Sequence, residues 1–516
     1  MTRRPGRGRR VQGRLFFILA ACIAFSCRNH RIRTVPVQSP EPASPDIRIE
    51  MGTYLGNEGR NGYGNWAPSS LKRIWKSYLG YGRTEISRRL GTRTWAGSGW
   101  TGQTLLVRED GRLFLLQGAY DHHLKKIDAE TGGIIWQYAF DDVIKGTGTL
   151  WCNPSAPVPE HRLIVLQGSR LGVGNAFSDP VIPSFRAVSY FSGEELWRLN
   201  VRRTPSYSRD VDGSALILGD TAYSTLENAT FIKYSPDPAQ ASIREGILQP
   251  KVFLERLLYR DADAAAHRGN LVAESSPCLV GDRIYISAGS GHVYGYNLRT
   301  SELDWDFFIG SDMDGSPVAT QDGCILVAVE KQYIPGPGGV FKLDPSRRPE
   351  ESVVWFFPTG DKDFNTWEGG VVGSACVNER TRFRNHPGLA AFSGIDGYLY
   401  VVKHAETDTA AGKVPGPDLK SLYPLPRLVF RRYIVPSIST PIMVGDKLIA
   451  AGYGGLYLFQ WNDKLEFTLL DQVAGLSFES TPCVYYRKCY IGCRDGYLYC
   501  FGDEADPGQA RAAQGS

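Results

Sequence analysis

Four acidic residues occupy one position in a recurring sequence pattern. Asp212, Glu274, Asp314 and Glu479 each stand two residues ahead of a serine or threonine, in DGSA, ESSP, DGSP and ESTP, and Asn153 takes the same place in NPSA. Carboxylates drawn together from several repeats create a negative field that favours a cation or a basic side chain. The same groups also accept backbone N–H bonds at a turn, so turn capping is the second use open to them. Trp100, Trp151 and Trp367 precede short β-rich runs on what would be the same side, and the segment EKQYIPGPGG over 330–339 adds Glu330 and Tyr333 on a Pro/Gly-stiffened loop. Acids beside exposed aromatics suit a basic, sugar-like or cationic ligand.

Other chemistry is weakly represented. Ten cysteines invite a disulfide or metal reading. Cys489 and Cys493 are four apart on one strand, too distant to bridge, and a two-residue turn at Asp495-Gly496 would set Cys500 opposite Ile491. Cys278, Cys376 and Cys483 recur at one repeat position in non-adjacent repeats, which fits a small buried slot. His122-His123 has no further ligand at metal-binding spacing. The sequence therefore assigns no catalytic residue, no metal and no cofactor.

The elements that position the acids are repeats. Past residue 95 a unit recurs: a small or hydroxyl opening, a β-rich run, a Gly/Asp turn, a second and third run, and in several units a closing tryptophan. Quotable units follow Ser276-Pro277 with GDRIYISAGSGHVYGYNL, Thr440-Pro441 with GDKLIAAGYGGLYLF, and Thr481-Pro482 with KCYIGCRDGYLYCF. There are eight. Each yields three or four strands of about five residues joined by tight turns. One such sheet cannot bury both faces alone, and packing the units around an axis buries them all. The fold expected is all-β, an eight-bladed β-propeller of four-stranded antiparallel blades. The eighth unit ends at Gly502 without an outer strand, and Leu71–Trp75 supplies one from the N-terminal side, closing the ring and covering its edge.

Ahead of the propeller, residues 1–14 carry six arginines and no acid, and Leu15–Phe25 is a short uncharged apolar run. A bilayer-spanning helix needs about 20 such residues, so this is the pattern of an export signal over 1–27. Leu19-Ala20-Ala21-Cys22 resembles a lipoprotein cleavage box, and Ala24-Phe25-Ser26-Cys27 is a looser version; Cys22 and Cys27 are the candidate lipidation sites, with ordinary cleavage and secretion as the alternative. Residues 28–54, with Pro36, Pro40, Pro42 and Pro45, read as a tether, 55–503 as the propeller, and 504–516 as a disordered tail. Removing the six arginines takes the net charge from +4 to −2, which gives no support to nucleic-acid binding.

TGGIIW (131–136), SGEELW (192–197) and the SSP and STP openings resemble the PQQ-like repeats of quinoprotein alcohol dehydrogenases. The same repeats build the propeller lipoprotein of the outer-membrane β-barrel assembly machine, to which this chain is closest in kind. The resemblance implies the fold and says less about function, since the repeat serves both enzymes and scaffolds. Enzymes of this family stack a vicinal Cys-Cys disulfide on the quinone, and this sequence has no adjacent cysteines and no Cys-x-x-Cys-His. The leading expectation is a non-enzymatic, lipid-anchored monomeric propeller of the bacterial envelope, on the outer membrane or facing the periplasm, binding an envelope protein or small ligand at the channel mouth. An exported enzyme with a cofactor or metal at that mouth, and a surface carbohydrate-binding module, are the alternatives.

Overall fold

Alternating apolar residues in short runs, punctuated by glycine turns, form eight antiparallel sheets in sequence order. The computed structural model of the protein describes residues 46–87, 90–383 and 386–503. Seven of the blades have four strands in the register the repeats imply. Blade four, for example, runs Cys278–Val280, Arg283–Ser287, His292–Asn297 and Glu302–Phe308. The one α-helix among the described residues is Asp261–Ala266. Inner and middle strands are almost wholly buried, as in Leu163–Gly168 and Ile325–Val329, while outer strands alternate buried and exposed. The core therefore lies between blades, as a propeller requires.

The tryptophans that end the repeats explain the TGG and SGE turns. The Trp136 indole packs on Gly193 of the next blade and donates to Tyr190 O at 3.0 Å. Trp305 donates in the same way to Arg347 O and Trp355 to His404 O. Ring closure uses this joint as well. Lys72–Tyr78 pairs with Tyr497–Gly502 as the outer strand of blade eight, and Trp75 donates to Ala129 O of blade one at 3.1 Å. Its ring lies 2.9 Å from where a Cβ on Gly132 would sit, at φ +73°, so only glycine serves there. The expected closing strand is present. Trp75→Ala should cost about 2 kcal/mol through lost packing and the bond to Ala129 O, read as a lowered Tm; an unchanged melt would mean the ring closes without it.

Two features differ from expectation. Strand Ile47–Met51 pairs with Leu105–Glu109 on the inner edge of blade one, giving that blade five strands, so the stretch read as tether contributes to the sheet. Its alternating IRIEM pattern is a strand signal that the prolines upstream obscured. Cys500 lies opposite Tyr490 and not Ile491, because the turn spans one more residue and Cys493 N bonds to Tyr497 O. Cys22, Cys27 and the tail 504–516 lie outside the described residues. The eight described cysteines are unpaired thiols.

Between its two strands the N-terminal segment crosses the axis and bonds to every blade. Leu55 N donates to Gln103 Oε1 of blade one at 2.8 Å, and Thr53 and Thr149 share a hydroxyl bond into blade two. Arg60, 0% exposed, donates to Ser214 O and Ala215 O of blade three and to Pro277 O of blade four. Asn61 bonds to Ala319 O of blade five, and Val377 N of blade six donates to Tyr63 Oη. Tyr54 Oη lies 2.7 Å from Thr440 Oγ1 of blade seven, and Gly64 bridges Val484 of blade eight. Burial pulls Arg60 down to about 10, leaving it charged at neutral pH. The channel is thus stoppered from within.

Candidate functional site

The repeat openings are linked to one another around one end of the axis. Ser214 N donates to Ser276 Oγ, Ser276 N to Ser316 Oγ, and Ser316 N to Ser374 Oγ, each at 2.8–2.9 Å. Ser374 N donates to Thr440 Oγ1 at 2.8 Å, and Gln103 N to Thr147 Oγ1 at 2.6 Å. The hydroxyl of one blade therefore caps the opening of its neighbour, which is why the position is serine or threonine in seven of the eight blades. The acids two residues earlier bond to side chains, as Glu274 to Trp100 and Glu479 to Arg494 and Tyr453, so capping of these turns falls to the hydroxyls.

Aligned on these openings, the residue two places ahead is Thr101, Lys145, Asp212, Glu274, Asp314, Val372, Ile438 and Glu479 in blades one to eight. Asn153 is not among them. The inner strand of blade two is Thr149–Cys152, and Asn153 follows it, its Oδ1 accepting from Ser155 N in the turn at the opposite end. NPSA mimics an opening, and the true one, KGTG over 145–148, lacks the proline or alanine that marked the others. Trp151 is likewise displaced: it is buried between blades two and three and donates to Gly219 O.

Three of the expected acids converge. Asp212, Glu274 and Asp314 line one axial cavity together with Tyr54 at its floor and Trp100, Val372 and Ile438 alongside. Trp100 Nε1 donates to Glu274 Oε2 at 2.7 Å, and Trp367, from the hairpin Asp361–Gly369, lies 5.9 Å from the Trp100 ring. Glu330 is 4% exposed and follows the second strand of blade five; Tyr333, 42% exposed, stacks on His267 at 4.6 Å. Glu479 stands apart, bound by Arg494 Nη1 at 2.5 Å and Tyr453 Oη at 2.8 Å.

The sequence reading missed Lys145 and Glu227. Lys145 Nζ lies 2.5 Å from Asp212 Oδ2, 3.5 Å from Glu227 Oε1 and 4.0 Å from Asp210 Oδ2, and 5.1 Å from the Trp100 ring. Glu227 sits where Glu330 does, just past a second strand, and accepts from Ser208 Oγ. Asp210 and Asp312 stand two residues ahead of Asp212 and Asp314; Asp312 is held by Asn270 Nδ2 at 2.6 Å. Both the Asp-x-Asp spacing and the Leu-Glu-Asn-Ala turn were legible signals.

Seven carboxyl groups thus face one another across blades three to five, and among the described residues Lys145 and Arg170 are the cations paired with them. Burial raises Glu274 to about 7 and Glu227 to about 8, with neighbouring acids adding to the rise and Lys145 opposing it. Asp212, Asp314 and Glu330 are pushed well above the carboxylate range, first by burial; Lys145 opposes the rise at Asp212, while neighbouring acids, Glu227 and Asp210 there and Glu274 and Asp312 at the other two, add to it. Burial alone would lower Lys145, but Asp212, Glu227, Glu274 and Asp210 outweigh it and hold the ammonium well above the usual lysine value.

Fold and site define an eight-bladed propeller of PQQ-like repeats with a charged axial cavity. The sequence matches the model of a family described as outer membrane protein assembly factor BamB over residues 72–347, more than half of the chain, and the chain belongs to that family. No curated protein matches the sequence. Among solved structures it resembles a quinohemoprotein alcohol dehydrogenase from Comamonas testosteroni, at 12% identity and TM-score 0.56 over 89% of this chain and 81% of that one. It also resembles a europium-containing methanol dehydrogenase, at 12% and 0.55 over 88% and 98%, and BamB from Moraxella catarrhalis, at 10% and 0.48 over 76% and 94%. At these identities the structural likeness is one of fold.

Carboxylates gathered on an axis could also serve a metal. Asp212, Glu227 and Glu274 bring ligand oxygens within 4.8 Å of one another, a spacing that fits a hard cation. The Lys145 ammonium already stands against two of those residues, and a divalent ion among the same oxygens would meet it as a like charge. The residues present do not fit the metal.

Proposed function

We propose that this protein is a non-enzymatic, lipid-anchored propeller of the bacterial envelope that docks a protein partner at its acidic mouth. One observation carries the reading: Asp212, Glu274 and Asp314 line a cavity stoppered at its floor, and the carboxyl groups around it outnumber their cations. Burial keeps part of this arc protonated near neutral pH, and a basic partner that answers the carboxyl groups draws them into the charged form, so the recess holds a partner of the other sign. Membership of an assembly-factor family supports a scaffold. The arginine-rich leader, the apolar run and Cys22 or Cys27 support export and anchoring.

Two readouts test it. Radiolabelled fatty acid should enter the wild type and be lost in the Cys22→Ser, Cys27→Ser double variant; labelling that survives removes the anchor. Capture of envelope proteins by the detergent-solubilised chain should weaken at least about tenfold on Asp212→Asn, Glu274→Gln and Asp314→Asn together, with a flattened salt dependence. Capture unchanged at every salt concentration would remove the acidic mouth from the function.

A further inference from the structure

The axial cavity is two-sided. One arc is carboxyl, from Asp212, Glu274 and Asp314 of blades three to five; the next is apolar, from Val372 and Ile438 of blades six and seven, and the Trp100 indole reaches Glu274 Oε2 between them. The serines and Thr147 that also line it are already engaged in the bonds between openings, so the carboxyl oxygens are the polar atoms left to a ligand. Asp212 is 8% exposed, and its Oδ1 accepts no hydrogen bond, the Lys145 contact being to Oδ2. A buried carboxylate oxygen without a donor, at the wall of a cavity, calls for one.

Size and lining narrow the donor. The space open to a water-sized group beside the acids is about 20 Å³, enough for one small head group, and the cavity opens to solvent past it, where Glu274 and Asp314 are part-exposed and a stem can extend. An ammonium head has that size; a planar guanidinium does not. A metal ion needs oxygens on all sides, and Val372 and Ile438 offer none. An alkyl stem, in contrast, packs on such a wall while its charged head reaches the acids.

We infer that the axial cavity binds a primary alkylammonium group, its nitrogen on Glu274, Asp314 and Asp212 Oδ1 with Lys145 kept on Asp212 Oδ2, and its methylenes against Val372, Ile438 and Trp100. The inference rests on the docking reading and names the partner's chemistry: a lysine side chain or a free amine, as opposed to an arginine. Selectivity follows from the two arcs together, since the acids alone attract any cation and the apolar wall rewards the stem.

The test is titration calorimetry on the full chain in detergent, with methylammonium, n-butylammonium, n-butylguanidinium and calcium chloride as probes. Butylammonium should bind at least about tenfold tighter than methylammonium, because three further methylenes are removed from water, and the guanidinium and calcium should bind weakly. Glu274→Gln with Asp314→Asn should weaken butylammonium at least about tenfold. Ile438→Ser, which leaves the acids intact, should erase the preference for the longer chain. A peptide with one internal lysine, compared with its arginine twin and with cadaverine, separates the sources: preference for the lysine peptide assigns the ammonium to a partner chain, and preference for cadaverine to a soluble amine. Equal binding of guanidinium, binding of calcium alone, or no binding overturns the inference. Charge-dependent partner capture without butylammonium binding would sink the ammonium site and leave docking standing. Butylammonium binding with capture unaffected by the acid variants would do the reverse.

Discussion

Lys145→Met is expected to destabilise the protein by about 3–5 kcal/mol near pH 8, the range found when one partner of a buried ion pair is removed. Lys145 Nζ contacts Asp212 and Glu227 at 2.5 and 3.5 Å, and it opposes the rise in the proton affinity of Glu274 as well. Methionine keeps the length and much of the volume, so the loss reports the charge and not a cavity. Two controls make the result specific. At about pH 6 the carboxyl groups take up protons and the deficit should shrink. Adding Asp212→Asn should return part of the lost Tm, because the remaining acids then have one charge fewer to repel. A further consequence follows from the misfit of a metal at this point: with the ammonium gone, the Asp212, Glu227 and Glu274 oxygens within 4.8 Å are free to ligate calcium, which should raise the Tm of the variant and not of the parent. If Lys145→Met melts like the parent at pH 8, the ammonium is not what holds the arc together.

The propeller was readable because its determinants are local and repeated. The Trp-to-Gly joint writes itself as TGGIIW and SGEELW, and the hydroxyl links as SSP and STP. Leu71–Trp75 was recognisable as an outer strand because it carries the same tryptophan. The site was only partly readable, since its residues are brought together around an axis. Asp212, Glu274 and Asp314 shared a repeat position and converge as that implies, yet Glu479 occupies the equivalent place and is diverted by Arg494 and Tyr453. Lys145 stands at the equivalent position with the opposite charge, and a search for acids passes over it. Asn153 and Trp151 were misplaced by one decoy opening eight residues downstream of the real one. The stopper was hidden for a further reason: Arg60 and Tyr54 sit in a segment with no repeat character, and their burial depends on carbonyls and hydroxyls of blades far along the chain.

The acid arc also sets the pH dependence of stability, and here the sign is opposite to the common case. Glu227 at about 8 and Glu274 at about 7 bind protons more tightly in the folded protein than in the unfolded chain, where glutamate titrates near 4.5. Asp212, Asp314 and Glu330 are raised in the same direction. Between those limits the folded state holds more protons, so stability is fully present below the unfolded values and falls as pH rises through about 7–8. Below about pH 4 groups such as Asp322 act the other way: burial alone would raise it, but Lys342 and Thr320 bring it down to about 2, so its contribution is lost on acidification. The Tm should therefore peak in the mildly acidic range and drop by several degrees between about pH 6 and pH 9, measured by calorimetry at constant ionic strength. Asp314→Asn with Glu330→Gln removes two raised carboxyls at the point farthest from Lys145's direct contacts, and the decline should flatten. n-Butylammonium, by neutralising the arc, should restore part of the Tm at pH 9 and little at pH 6. A melting temperature that climbs steadily from pH 6 to pH 9 would mean that the arc is ionised and fully compensated in the folded protein, with no field left over for a partner.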